Sequence, residues 1–269
     1  RSTPLYSSAA SDVYKRQVLW SFGPLVVRNL DQPNLVPWQY LLTRGLTIFC
    51  IINIYLFFEE GKKFYKNYLK IGFSGIVGGI GLGIAMITFI WSITNTSAAI
   101  TLLCLAAMPF ITALLGFLFL KEKISMNVWT AIIIAAIGIG IMASGKSGQG
   151  SVFGLIFGLI SATGFSVFSV SLRWRKETPK FTTVSIAGLF CAAVSLAVIA
   201  INDGNFLSSS HNQGLFAIHG TLVCLGLILY SIGSKALPAA ELTLLSLTEI
   251  IGGIFWVWLP ILGLSLIHI

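Results

Sequence analysis

Residues 69–91 read LKIGFSGIVGGIGLGIAMITFIW. Past Lys70 the stretch carries no charge, and its side chains are apolar or small on every face of a helix. As a helix it is about 35 Å long at ~1.5 Å per residue, enough to cross a hydrocarbon core of ~30 Å. Eight further stretches share this character. In order, the nine are Val18–Leu30, which is short, Trp38–Phe58, Leu69–Trp91, Ala98–Leu120, Val128–Ala143, Val152–Trp174, Phe181–Ile201, Leu215–Gly233 and Ala239–Leu262. Charged residues are 10% of the chain and hydrophobic ones 56%, whereas a soluble domain carries about 25% charged residues. In lipid only helices and closed barrels satisfy their backbone polar groups. A barrel needs short segments of alternating polarity, and these segments are apolar all round. The fold class is therefore an all-α polytopic membrane protein, with loops too short for a separate soluble domain.

The net charge of +8 does not point to nucleic acid, because the basic residues follow topology. Lys62, Lys63, Lys66 and Lys70 lie between the second and third spans. Lys121 and Lys123 follow the fourth. Arg173, Arg175, Lys176 and Lys180 follow the sixth, and Lys235 the eighth. The alternate gaps hold only Arg28 and Lys146. By the positive-inside rule the rich gaps face the cytoplasm, and so does the N-terminus. The expected location is a plasma or bacterial inner membrane. Cys50, Cys104, Cys191 and Cys224 all fall within spans and lack CxxC spacing, so buried packing is expected, with no disulfide. His211, His219 and His268 are scattered, and no metal site or cofactor is expected.

The two ends differ from the rest. Residues 1–17, RSTPLYSSAASDVYKRQ, and residues 264–269, LSLIHI, resemble translated sequencing-adapter read-through. They are set aside as non-native tails, so the first span is expected to have begun upstream. Between them the chain compares with itself. Thr101-Leu102-Leu103-Cys104-Leu105 aligns with Thr243-Leu244-Leu245-Ser246-Leu247 at an offset of 142 residues. The matched segments are spans four and nine, five helices apart. An odd unit inserts its second copy upside down, a recurrent plan of secondary transporters. Residues 18–143 are expected to be one repeat and residues 152–263 the other.

Several residues resemble the EamA-type family of the drug/metabolite transporter superfamily. Asn95-Thr96-Ser97-Ala98-Ala99, Pro109 and Leu120-Lys121-Glu122 resemble its fourth helix. Trp20-Ser21-Phe22-Gly23 resembles the first, Arg44-Gly45 the second, and Pro238-Ala239-Ala240 with Thr248-Glu249 the ninth. The resemblance implies ten helices in two inverted five-helix repeats, with the tenth absent here, and secondary transport of small metabolites.

Ionisable groups in a span are costly and usually face a cavity. Glu249 is expected to bind a cationic group on the substrate, to titrate as a proton site, or to partner a hydroxyl or backbone group. Arg44 either attracts an anionic substrate, ties helices two and one together, or snorkels to the interface. Trp20, Trp91, Phe165, Phe168 and Tyr230 are aromatic candidates for a cavity wall, and Asn95 and Thr248 its polar candidates. Pro109 interrupts a backbone hydrogen bond in span four and is a candidate hinge. Glu122 and Glu241, at helix ends near lysines, read as topological or ion-paired and not as substrate-binding. The stripes Gly75/Gly79/Gly83 and Gly154/Gly158/Ala162 read as close-packing faces.

The leading expectation is an alternating-access exporter or exchanger of small organic metabolites. A nucleotide-sugar transporter and a non-transporting scaffold are the alternatives. No clustered catalytic residues support an enzyme. The expected partners are a small-molecule substrate, the lipid bilayer and a second copy in a homodimer.

Overall fold

The computed structural model describes residues 19–32, 36–96, 98–123, 126–127, 129–130, 133–134, 137, 152–175, 178–234 and 237–245. They form helices, with no strand among the described residues. The elements are α1 (Gly23–Arg28), α2 (Pro37–Glu60), α3 (Lys66–Lys70), α4 (Gly72–Asn95), α5 (Ala98–Leu105), α6 (Met108–Leu115), α7 (Val152–Trp174), α8 (Lys180–Ile201), α9 (Ser210–Gly233) and α10 (Ala239–Leu245).

Six segments among the described residues have membrane-crossing length and hydropathy: Pro37–Lys63, Gly72–Asn95, Ile100–Leu120, Val152–Trp174, Lys180–Ile201 and Ser210–Gly233. The protein is an integral, multi-pass, all-α membrane protein. Its outward faces agree. Phe73, Ile76, Ile80 and Ile84 form an exposed apolar stripe on α4, as do Phe110, Leu114 and Phe117 along α6. Contiguous apolar surface on this scale suits lipid and not water. Small polar groups go inward instead. Ser161, Ser166, Ser169 and Ser171 of α7 are all buried, and each hydroxyl bonds a backbone carbonyl of its own or a neighbouring helix. Among the cysteines, Cys104, Cys191 and Cys224 are buried, but Cys50 is exposed on the outer face of α2 and not packed inside.

Three boundaries differ from the sequence reading. The third span begins at Gly72 and ends at Asn95. Gly61 at φ +60° and Gly72 at φ +61° flank the short basic helix α3, and a side chain would disfavour both conformations. The eighth span starts at Ser210, because the Ser209 hydroxyl accepts the Asn212 amide and caps the helix N-terminus. The fourth span is broken. α5 ends at Leu105, α6 starts at Met108, and Gly116–Leu120 winds as a π-helical turn. Pro109 lies in the first turn of α6, where its missing N–H costs least. The fifth expected span, Val128–Ala143, lies mostly outside the described residues, and the ninth is described only to Leu245.

Glycines set the tightest contacts. α4 lies along α7 and α8, α2 along α8 and α9, and α6 against α10. Where α2 crosses α8, a Cβ on Gly45 would lie 2.7 Å from the Gly188 carbonyl oxygen, and a Cβ on Gly188 would lie 2.8 Å from the Gly45 carbonyl oxygen. At the α4–α7 crossing, Gly81 and Gly164 face each other's carbonyls in the same way, at 3.0 and 2.5 Å. Both predicted stripes are packing faces. Gly75, Gly79 and Gly83 meet Thr183, Ile186 and Phe190, while Gly154 and Gly158 meet Thr96 and Cys104.

Polar networks close the two ends. At the lysine-rich end, Arg173 Nε donates to Glu122 Oε1 at 2.6 Å. Its Nη1 donates to the Ser234 and Leu237 carbonyls. Glu122 Oε2 also accepts the Ala239 amide at 3.3 Å, so Glu122 is ion-paired as expected. At the opposite end, Asn212 exchanges hydrogen bonds with the backbone of Asp31, and Gln39 Nε2 donates to Asn205 O at 2.8 Å.

Candidate functional site

Between the two ends, α2, α4, α5, α6, α7 and α9 surround a cavity of about 90 Å³ with the Trp20–Gly23 segment. Its wall is mostly apolar: Leu82, Ala85, Met86 and Phe89 from α4, Leu105 and Met108 at the α5–α6 break, Val223 and Leu227 from α9. The polar contributions are few: Arg44, Ser161 and His219. Sparse polar groups in an apolar cleft are the usual make-up of a small-molecule site.

Three sequence candidates meet there: Trp20, Arg44 and Phe165. Trp20 is held by its indole Nε1, which donates to the Val223 carbonyl at 3.1 Å. Its ring meets Phe165 edge-on at 5.6 Å and stacks on Tyr230 at 6.3 Å. Tyr230 and Phe168 are fully buried behind this wall. They stack on each other at 5.8 Å, and the Tyr230 hydroxyl is hydrogen-bonded to Ser169. They support the cavity and do not line it.

Two candidates lie elsewhere. Trp91 packs on Trp38 at 5.4 Å and Phe157 at 6.3 Å, toward the end of α4 away from the lysines. Asn95 is exposed at that end and returns its Nδ2 to the Trp91 carbonyl at 2.8 Å. Both lie past Phe89, the last α4 residue of the cavity wall. Thr248 and Glu249 lie outside the described residues. Pro109 is buried at the α5–α6 break.

Arg44 does not snorkel. It is 4% exposed, about two turns into α2 from Pro37. Its guanidinium carbon stands 5.7 Å from the centre of the Tyr40 ring, a cation–π contact. Its Nε has no hydrogen-bond acceptor, and no ion pair engages it among the described residues. His219 was passed over in the sequence because no second ligand stood near it. The fold brings it to Tyr40, 179 residues away, whose hydroxyl is hydrogen-bonded to His219 Nδ1. Its Nε2 faces Gly23, where a Cβ would come within 3.1 Å. Among the described residues no cluster of His, Cys, Asp or Glu could hold a metal ion.

Known proteins place this architecture. The chain is 25% identical over 235 residues to the uncharacterized transporter YojE of Bacillus subtilis, covering 85% of this chain and 77% of that one. An uncharacterized transporter of Helicobacter pylori strain 26695 is 24% identical over 232 residues, covering 82% and 76%. A solved crystal structure superposes with a TM-score of 0.74 at 19% identity, over 97% of this chain and 90% of its own, a likeness of fold. Residues 17–144 match the model of the EamA-like transporter family. The first half of the chain is thus similar to an EamA-like transporter domain.

Proposed function

We infer that the protein is a secondary transporter of small organic metabolites that works by alternating access around the central cavity. The observation that carries this reading is the cavity itself: set among the helices between the two ends of the bundle, apolar and aromatic, with one buried guanidinium. Similarity to proteins named transporters supports it. So does the reciprocal Gly45–Gly188 crossing, which suits two inverted repeats, residues 18–143 and 152–263, meeting at a common axis. In this reading the lysine-rich end faces the cytoplasm, and the Glu122–Arg173 and Asp31–Asn212 networks close opposite entrances.

A strongly anionic nucleotide is a poor fit. Its diphosphate would meet a single guanidinium in an otherwise apolar wall. The test is uptake and counterflow in liposomes reconstituted with the full chain, using a panel of labelled small metabolites. Saturable uptake accelerated by unlabelled substrate on the far side is expected. Uptake no faster than in empty liposomes across the panel overturns transport and favours a scaffold. The variant Met86→Trp, which fills the cavity from its wall, is expected to abolish uptake without changing the elution volume of the protein.

A further inference from the structure

We propose that Arg44 and His219 form an anion-binding site selective for short monocarboxylates, with the carboxylate on Arg44 and the alkyl body against the aromatic and aliphatic wall. This deepens the reading of the central cavity as the substrate site and rests on it.

Arg44 is the starting point. Burying a charge without a partner is among the most expensive arrangements a protein can keep. At 4% exposure, with an unmet Nε and no carboxylate partner among the described residues, Arg44 comes close to that case: Tyr40 supplies a side-chain hydrogen bond, which leaves the charge unneutralised. The Tyr40 ring offsets part of the cost from one face. The Nε edge has no acceptor, and the side chain borders a cavity. A carboxylate entering that cavity supplies the missing acceptor and the missing charge together. Planar carboxylates match the guanidinium fork in paired hydrogen bonds, which an ammonium group cannot do.

His219 adds a second donor. Neutral imidazole has one donor and one acceptor nitrogen. The Tyr40 hydroxyl engages Nδ1 and leaves Nε2 beside Gly23 at the cavity; in the tautomer in which Nδ1 accepts, Nε2 carries the proton and is the donor. One guanidinium and one imidazole N–H match one negative charge and fall short of a phosphate dianion.

The volume limits the body. An engineered cavity of ~150 Å³ holds benzene. A cavity of about 90 Å³ suits a solute smaller than benzoate, on the order of six heavy atoms. Trp20, Phe165, Met86 and Leu227 offer the rest of such a molecule apolar contact and almost no hydrogen-bonding groups. Butyrate has the right size, charge and apolar tail.

The experiment is scintillation-proximity binding of radiolabelled butyrate to the purified full chain, competed by butyrate, butyramide and n-butylamine. These probes differ in head group and little in size. Butyrate is expected to compete at least tenfold better than butyramide, and butylamine to compete least. Arg44→Gln is expected to lose butyrate binding at least tenfold, while Arg44→Lys retains part of it. The wild-type head-group ranking needs no variant, so a misfolded Arg44→Gln leaves the test intact. Equal competition by butyramide, undiminished binding by folded Arg44→Gln, or no butyrate binding at all overturns the proposal. Failure of the transport reading looks different: butyrate binds with the expected ranking, yet no solute shows counterflow. Conversely, counterflow blocked by Met86→Trp without any head-group preference leaves the transporter standing and removes the anion site.

Discussion

Gly45 and Gly188 are each other's counterpart at the crossing of α2 and α8. A Cβ on Gly45 would sit 2.7 Å from Gly188 O and 2.8 Å from Ala192 N. A Cβ on Gly188 would sit 2.8 Å from Gly45 O and 3.0 Å from Phe49 N. The colliding atoms are backbone on both sides, so no side chain can rotate away. Gly45→Ala or Gly188→Ala is expected to destabilise the fold by about 1–3 kcal/mol, the usual cost of overpacking, seen as a lower melting temperature in detergent. The double variant is expected to cost less than the two singles together, since one separation of the helices relieves both clashes. Strictly additive losses count against the shared contact.

The same relationship shows what the sequence could and could not yield. Apolar length and charge placement revealed the spans, because the bilayer acts on composition whatever the packing. The glycine stripes were legible as packing faces, because small side chains have few other uses in a span. Which stripe meets which helix is a property of the assembled bundle. Arg44 stood out as a charge, but its burial beside Tyr40 at the cavity is a property of the assembled bundle. His219 was unremarkable in sequence and acquires its setting only from Tyr40. Trp91 packs against Trp38 and Phe157, and an aromatic residue does not record its depth in a bundle.

Gly226 leaves the space that Trp20 fills. A Cβ there would overlap the indole, with Nε1 2.0 Å away. Gly226→Ala is expected to push the ring out of its bond to Val223 and into the cavity, reducing substrate binding several-fold with little loss of stability. Trp20→Phe, which removes the bond but keeps most of the apolar wall, is expected to do less. Binding affinities of the two variants decide this, and equal losses contradict the displacement argument.

Arg173 joins three elements at the lysine-rich end through Glu122 and the Ser234 and Leu237 carbonyls. Hydrogen bonds involving a charged group are each worth about 1.5–3 kcal/mol when partly buried, and this cluster is mostly shielded. Arg173→Ala is expected to loosen that end. Labelling of a cysteine placed by Ser234→Cys with a membrane-impermeant maleimide should accelerate, and Glu122→Gln should give a weaker version of the same effect. Unchanged labelling rates mean the cluster does not hold the end closed.

Pro109 separates two effects that a broken helix otherwise combines. Its ring would clash with the carbonyl of Leu105 in a continuous helix, and it offers no N–H to that carbonyl. α5 accordingly stops at Leu105 and α6 restarts at Met108, with both residues at the cavity wall. Pro109→Ala restores the missing donor and removes the clash, so the segment gains the option of continuous helix. If the break serves only packing, the variant loses stability and transports normally per folded molecule. If the break is a hinge, the variant is as stable as the parent or more so, and its counterflow slows because the wall of the cavity no longer bends there. Melting temperature and counterflow measured on the same preparation separate the two, and the hinge role requires the second pattern.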